Sequence, residues 1–157
     1  MDGGINLFAY TNNDPVNKND PFGLDEECSE ECSDDAGRKC YCSEIKVIYI
    51  LVQTSGAVGH TFLSTPKRKI GFYPKEEETI YVGDYYGKRQ VPGETKNDSE
   101  RPFDKEIPYT ACPATQQALE SSIDRNLQGP YQLGNRGAPN CVGWACQRVS
   151  DAGITPP

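Results

Sequence analysis

Residues 45–87 carry four short runs with strand composition, and from residue 113 the apolar positions recur at a helical period instead. The runs are "IKVIYILVQTSG" (45–56), "GHTFLSTP" (59–66), "KIGFYP" (69–74) and "TIYVGDYYG" (79–87). The first is apolar almost throughout, which suits a central strand buried on both faces. Gly59 opens the second and Pro66 stops it. Residues 88–106 are polar and read as a surface loop, with room for a lid or for substrate contacts. Pro113 then suits a first helical turn, and Leu119, Ile123 and Leu127 fall at i, i+4 and i+8. Gly129 reads as a stop, so one amphipathic helix is expected over about 113–127. A second is expected from Cys141 to about Asp151, with Asn140 as N-cap and Gly153 just beyond the end. Sheet first and helices second makes the fold class α+β, a small antiparallel sheet packed against two or more helices.

The chain has seven cysteines: Cys28, Cys32, Cys40, Cys42, Cys112, Cys141 and Cys146. An odd number leaves at least one thiol outside any set of intrachain bridges. The economical expectation is six paired cysteines and one working thiol. Four of them fall in residues 25–44, "DEECSEECSDDAGRKCYCSE", among eight acidic residues and two basic ones. Such a segment cannot bury enough apolar surface to order itself, so cross-links must hold it. Its C-x3-C-x7-C-x-C spacing fits zinc knuckles poorly and no histidine is near, which favours disulfides over metal. Cys112 and Cys146 are available as distant partners. Bridges of this kind form outside a reducing cytosol, which favours action in a periplasm or outside a cell.

The net charge of −7 argues against a nucleic-acid partner. The longest apolar run, "IKVIYILV", is only about a strand long and contains Lys46, so no stable membrane insertion is expected, and no signal peptide is evident.

Residues 1–24 have too few apolar positions to form a core and read as an extended leader. The stretch Gly3-Gly4-Ile5-Asn6-Leu7-Phe8-Ala9-Tyr10, followed by Asp20-Pro21-Phe22-Gly23-Leu24, closely resembles the end of the core module of rearrangement hotspot (Rhs) and YD-repeat proteins. In that family a repeat shell encloses a variable C-terminal toxin and cuts itself just after the Asp-Pro-x-Gly-Leu element. The resemblance implies a cleavage element at Asp20, Pro21, Gly23 and Leu24, and a released effector beginning at residue 25. It also implies two partners, the shell before release and a cognate immunity protein in the producer. Delivery into a target cell follows from the same resemblance; the chemistry does not.

Asn140 as N-cap would place Cys141 at the first helical position, where unpaired backbone N–H groups and the helix dipole favour thiolate. The same donors could hold an oxyanion. A thiol nucleophile needs a base, and His60 is the sole histidine in the chain. Strand alternation puts Phe62 on the His60 face and Thr61 and Leu63 on the other. Cys146 lies five residues on, about 140° round the helix, away from the Cys141 face. Tyr131, Trp144, Phe72 and Tyr73 read as packing residues.

Gly59-His60-Thr61-Phe62, then Gly71-Phe72-Tyr73-Pro74, then Tyr131-x-Leu133 leading to Asn140-Cys141 and Trp144, resembles circularly permuted papain-like hydrolases. These include toxin relatives of the cell-wall peptidase clan and lecithin:retinol acyltransferase-like proteins. The resemblance spans residues 45–154 and has the permuted order, histidine before cysteine. It implies Cys141 as nucleophile and His60 as general base, later protonating the leaving group, with no cofactor and no metal. Relatives orient the histidine with a third polar residue, for which Asp84 is the candidate, with Gln53 as a polar neighbour.

The organisation expected is thus a leader at 1–24, an acidic Cys-rich segment at 25–44 and a papain-like domain at 45–157. The expected activity is cysteine-dependent hydrolysis or acyl transfer on an amide or ester, with cell-wall peptide, a target-cell protein or a phospholipid as substrate. The rival readings are a disulfide-stapled binding module with a structural His60, and a nuclease or deaminase. A lone histidine, the acidic balance and the lack of a recognisable carboxylate cluster count against the last.

Overall fold

The computed structural model describes residues 30–56, 59–75, 89–134 and 138–157. The leader with Asp20, Pro21, Gly23 and Leu24, together with Cys28 and the expected strand at 79–87 with Asp84, lies outside the described residues. Within them the elements run β1 (Glu31–Ser33), β2 (Lys39–Tyr41), β3 (Lys46–Gln53), β4 (His60–Ser64), β5 (Lys69–Pro74), β6 (Gln90–Asn97), β7 (Lys105–Ala111), α1 (Pro113–Asp124), β8 (Gln128–Gln132) and α2 (Cys141–Asp151). The fold is α+β. Six strands form an antiparallel sheet in the order β7-β3-β4-β5-β6-β8, and β1 and β2 form a separate hairpin.

Strand alternation decides what each face carries. Ile50 pairs with Leu63 and Leu63 with Ile70, so the three share a face. With Ile48 and Phe72 they pack against Leu119 and Ile123 of α1 and Trp144, Ala145 and Val149 of α2 in the main core. The opposite face carries Leu51 across from Phe62 and Phe62 across from Gly71. Leu51 and Phe62 are buried, and Phe103 meets Phe62 edge-on at 6.4 Å. The strand β3 is therefore buried on both faces at its centre, as its apolar run implies. No helix among the described residues is long and apolar enough to cross a membrane.

Three strands depart from the sequence expectation. Residues 88–106 are not a simple loop, because β6 runs through them between β5 and β8. Its sequence, QVPGETKN, offers one aliphatic residue and a Pro-Gly pair, yet Val91 and Gly93 are buried. Gly93 is required there, since a Cβ would come within 2.5 Å of the Phe72 ring. The helix α1 ends at Asp124 rather than 127, and Gly129 sits inside β8, at the sheet edge, where Pro130 is tolerated. Residues 105–111, apolar only in part, form β7 at the other edge.

The acidic segment is stapled as its composition requires. Cys32 bridges Cys42 and Cys40 bridges Cys112; Cys146 takes part in neither bridge. The tight turn of the hairpin uses Gly37 at φ +77°. Asp34 lies in that turn and accepts from the Cys112 N–H at 2.8 Å and the Thr115 hydroxyl at 2.5 Å. Cys112 makes no side-chain cap of its own, so Asp34 caps α1 from a distant part of the chain.

Candidate active site

The β4–β5 ladder stops at the pair Phe62 and Gly71, although β5 continues to Pro74 against β6. Beyond that point β4 has no strand partner on its β5 side among the described residues, and α2 begins there. Asn140 accepts from the Gly143 N–H at 2.9 Å, which starts the helix at Cys141 as expected of an N-cap. Cys141 is buried and in no disulfide. Its sulfur accepts from the N–H groups of Thr61 and Val142 and is hydrogen-bonded to His60, the first residue of β4. Backbone donors of a strand end and of a helix start thus meet on one sulfur.

His60 is held from behind. Its Nε2 lies 3.2 Å from Asp98 Oδ2, which leaves the other ring nitrogen for the thiol. The ring stacks on Tyr73 at 4.3 Å and on Phe62 at 5.7 Å. Asp98 follows β6 directly and is 4% exposed. The Tyr73 hydroxyl donates to its Oδ1 at 2.5 Å and Arg101 Nε at 3.2 Å. Arg101 also donates to Gln53 at 2.7 Å. The backbone makes room at Gly71, where a Cβ would lie 2.6 Å from His60 Nε2 and closer still to Asp98.

Burial opposes charge on His60, but the Asp98 hydrogen bond, then the bond and charge of Cys141, then the Asp98 charge outweigh it and raise its pKa above the ordinary imidazole value. Burial likewise pushes the Cys141 thiol up, and is overcome by His60, the Thr61 N–H and the Val142 N–H, so its pKa is lowered. Burial of Asp98 is outweighed by the His60 and Tyr73 hydrogen bonds and by the charges of His60 and Arg101, so its carboxyl stays below the usual range. The two shifts run toward each other, so the contact favours thiolate and imidazolium over what the separate groups would carry.

Cys141 and His60, both expected, are therefore brought together. Gln53 pairs across from His60 in the ladder but bonds Arg101, which reaches the ring through Asp98. The third residue in the described structure is Asp98. Tyr131, read as packing, also reaches the thiol: it is hydrogen-bonded to the Cys141 side chain and to its backbone, and burial with the Cys141 charge raises its pKa. No protein-family model, curated protein or solved structure matches this chain.

Asp98→Asn tests the charge directly. Without the carboxylate His60 titrates lower and Cys141 higher, and each unit of thiol pKa is a tenfold change in thiolate at a pH below it. Alkylation of Cys141 by iodoacetamide, followed on its own peptide by mass spectrometry, is expected to slow about tenfold at pH 6 and to approach the parent rate at pH 9. An equal loss at both pH values would mean a collapsed site rather than a missing charge.

Proposed function

We propose that the chain is a cysteine-dependent hydrolase or acyl-transfer enzyme of permuted papain-like architecture, carried as the C-terminal effector of an Rhs protein. The observation that carries this reading is a buried thiol at a helix start, bonded to an imidazole whose far nitrogen meets a buried carboxylate. The chain order, histidine before cysteine, supports the permuted form. The Cys32–Cys42 and Cys40–Cys112 bridges support an oxidising site of action, and so a cell-wall peptide as substrate ahead of a cytosolic protein or a phospholipid.

In this reading the Cys141 thiolate attacks the carbonyl carbon of an amide or ester. Besides the Thr61 and Val142 N–H groups, two further donors stand beside the sulfur, the Cys141 N–H and the Tyr131 hydroxyl, at present bonded with each other's residue. A carbonyl oxygen entering between them takes both as its oxyanion hole. Imidazolium His60 protonates the leaving nitrogen or oxygen, the C–N or C–O bond breaks, and a thioester remains. Neutral His60 then deprotonates water, or an acceptor nucleophile, which attacks the thioester and releases the thiol. Asp98 keeps the ring in the orientation and tautomer that this exchange needs.

Incubation of the oxidised full chain with soluble cell-wall peptide fragments tests the reading. New amine termini are expected, and alkylation of Cys141 beforehand should prevent their release. A fully alkylated protein that still cleaved would remove Cys141 from the chemistry. A protein with no turnover on peptide, ester or phospholipid would favour the binding-module reading.

A further inference from the structure

A cleft of about 470 Å³ runs along the flank of α2 and includes neither Cys141 nor His60. Its lining includes Phe72, Trp144, Gln147, Arg148, Asn126 and Gln128. Arg148 is the one charged residue among the described lining residues, and it is 7% exposed. Its Nε is buried with no hydrogen-bond partner. Its ionic partner, Asp151, stands 3.4 Å from Nη2 and is already taken up by the Ser122 hydroxyl at 2.6 Å and Gln147 Nε2 at 2.9 Å. A buried guanidinium with an idle donor is costly unless something supplies an acceptor. Burial lowers the Arg148 pKa, Asp151 opposes that and Arg125 adds to it, so the charge is not fully compensated by the protein.

The position of this group gives it a use. Seven residues of helix separate Cys141 from Arg148, two turns or about 10 Å, and both belong to the buried face of α2. Trp144 lies between them, with the guanidinium 5.8 Å from its ring centroid. An extended peptide covers about 10 Å in three residues. We propose that this cleft is a subsite for a carboxylate of a peptide substrate, held by Arg148 about three residues from the bond attacked at Cys141. The proposal rests on the reading of Cys141 as a nucleophile for the identity of the substrate, and on Arg148 alone for the anion. A planar guanidinium matches a carboxylate in bidentate fashion, and a single lining cation suits a singly charged group better than a phosphate dianion. The amide and hydroxyl groups of Asn126, Gln128, Gln147 and Ser150 suit a peptide backbone rather than an acyl chain.

Trp144 is the sole tryptophan and reports on the site. The full-length Cys141→Ala chain, which has no nucleophile, is titrated with acetyl-Ala-Glu, with its diamide and with inorganic phosphate while Trp144 emission is followed. The diacid should bind saturably, the diamide about tenfold or more weaker, the equivalent of ~1.4 kcal/mol for one charge-assisted contact. In Arg148→Gln the diacid should weaken by a similar factor and its advantage over the diamide vanish. Should that variant fail to fold by thermal melt, the diacid-to-diamide ratio in the Cys141→Ala chain decides by itself. Equal binding of diacid and diamide, absence of any Trp144 response, or tighter binding of phosphate would each overturn the carboxylate assignment. Because Cys141 is already gone from the protein titrated, failure of the nucleophile reading leaves these outcomes unchanged.

Discussion

Exported to the periplasm of a susceptible bacterium, the chain is expected to stop growth, and Cys141→Ala is expected to remove that effect completely. Alanine offers no sulfur, so no thioester can form, whatever else the site binds. His60→Ala keeps the nucleophile but removes the base and proton donor. A contribution of roughly 10²–10⁴ in rate is usual for such a group, enough to turn killing into slow growth. The two variants should therefore differ: no effect from Cys141→Ala, a residual effect at high expression from His60→Ala. Expression without export should be far less harmful, since the two bridges of the Cys-rich segment do not form in a reducing cytosol. Thermal melts of the oxidised variants separate lost chemistry from lost folding. Killing that survives Cys141→Ala in a folded protein would sink the catalytic reading and leave the stapled binding module.

The Cys141–His60 pair is legible because each residue has a local signature. Asn140-Cys141 is an N-cap followed by the first helical residue, and the cap bond from Gly143 to Asn140 is a contact over three residues. His60 is the sole histidine, so elimination singles it out. Asp98 had neither advantage. It lies in a polar stretch whose β6 strand is marked by no more than Val91 and a Pro-Gly pair, and its bond to His60 spans 38 residues. What fixes it is register: β6 beside β5 brings Asn97 level with Ile70, and the Asp98 N–H donates to the Lys69 carbonyl at 3.0 Å. Pairing between strands of low β-propensity is decided by the neighbours they cover, which no local window contains. The same holds for β8, where Tyr131 is delivered to the thiol by pairing with Val91. Gly71 is the one sequence signal for Asp98, since a glycine within a strand marks a close approach, here by His60 and Asp98.

The Cys-rich segment is the second place where a large effect is expected. Substituting Cys40 and Cys112 together by serine should cost about 4 kcal/mol, because that bridge joins residues 72 apart and its loss frees a long loop in the unfolded chain. The Cys32–Cys42 pair, 10 residues apart, should cost less, about 3 kcal/mol on the same basis. The difference should be larger in the native state than loop length implies. Cys40–Cys112 ties the hairpin to the start of α1, where Asp34 supplies the missing cap and Arg38 donates to Thr115 at 2.9 Å and to the Ala152 carbonyl at 2.6 Å. Once the bridge is gone these polar contacts must hold the acidic hairpin of residues 30–44 with little apolar burial, and they are too few to do so. Limited proteolysis of the Cys40→Ser, Cys112→Ser protein should cut first between 30 and 44, whereas Cys32→Ser, Cys42→Ser should resist longer. Denaturant midpoints give the energies. Equal midpoints for the parent and the Cys40–Cys112 variant would show that the polar contacts alone dock the hairpin, and would take away the physical reason for tying this fold to an oxidising compartment.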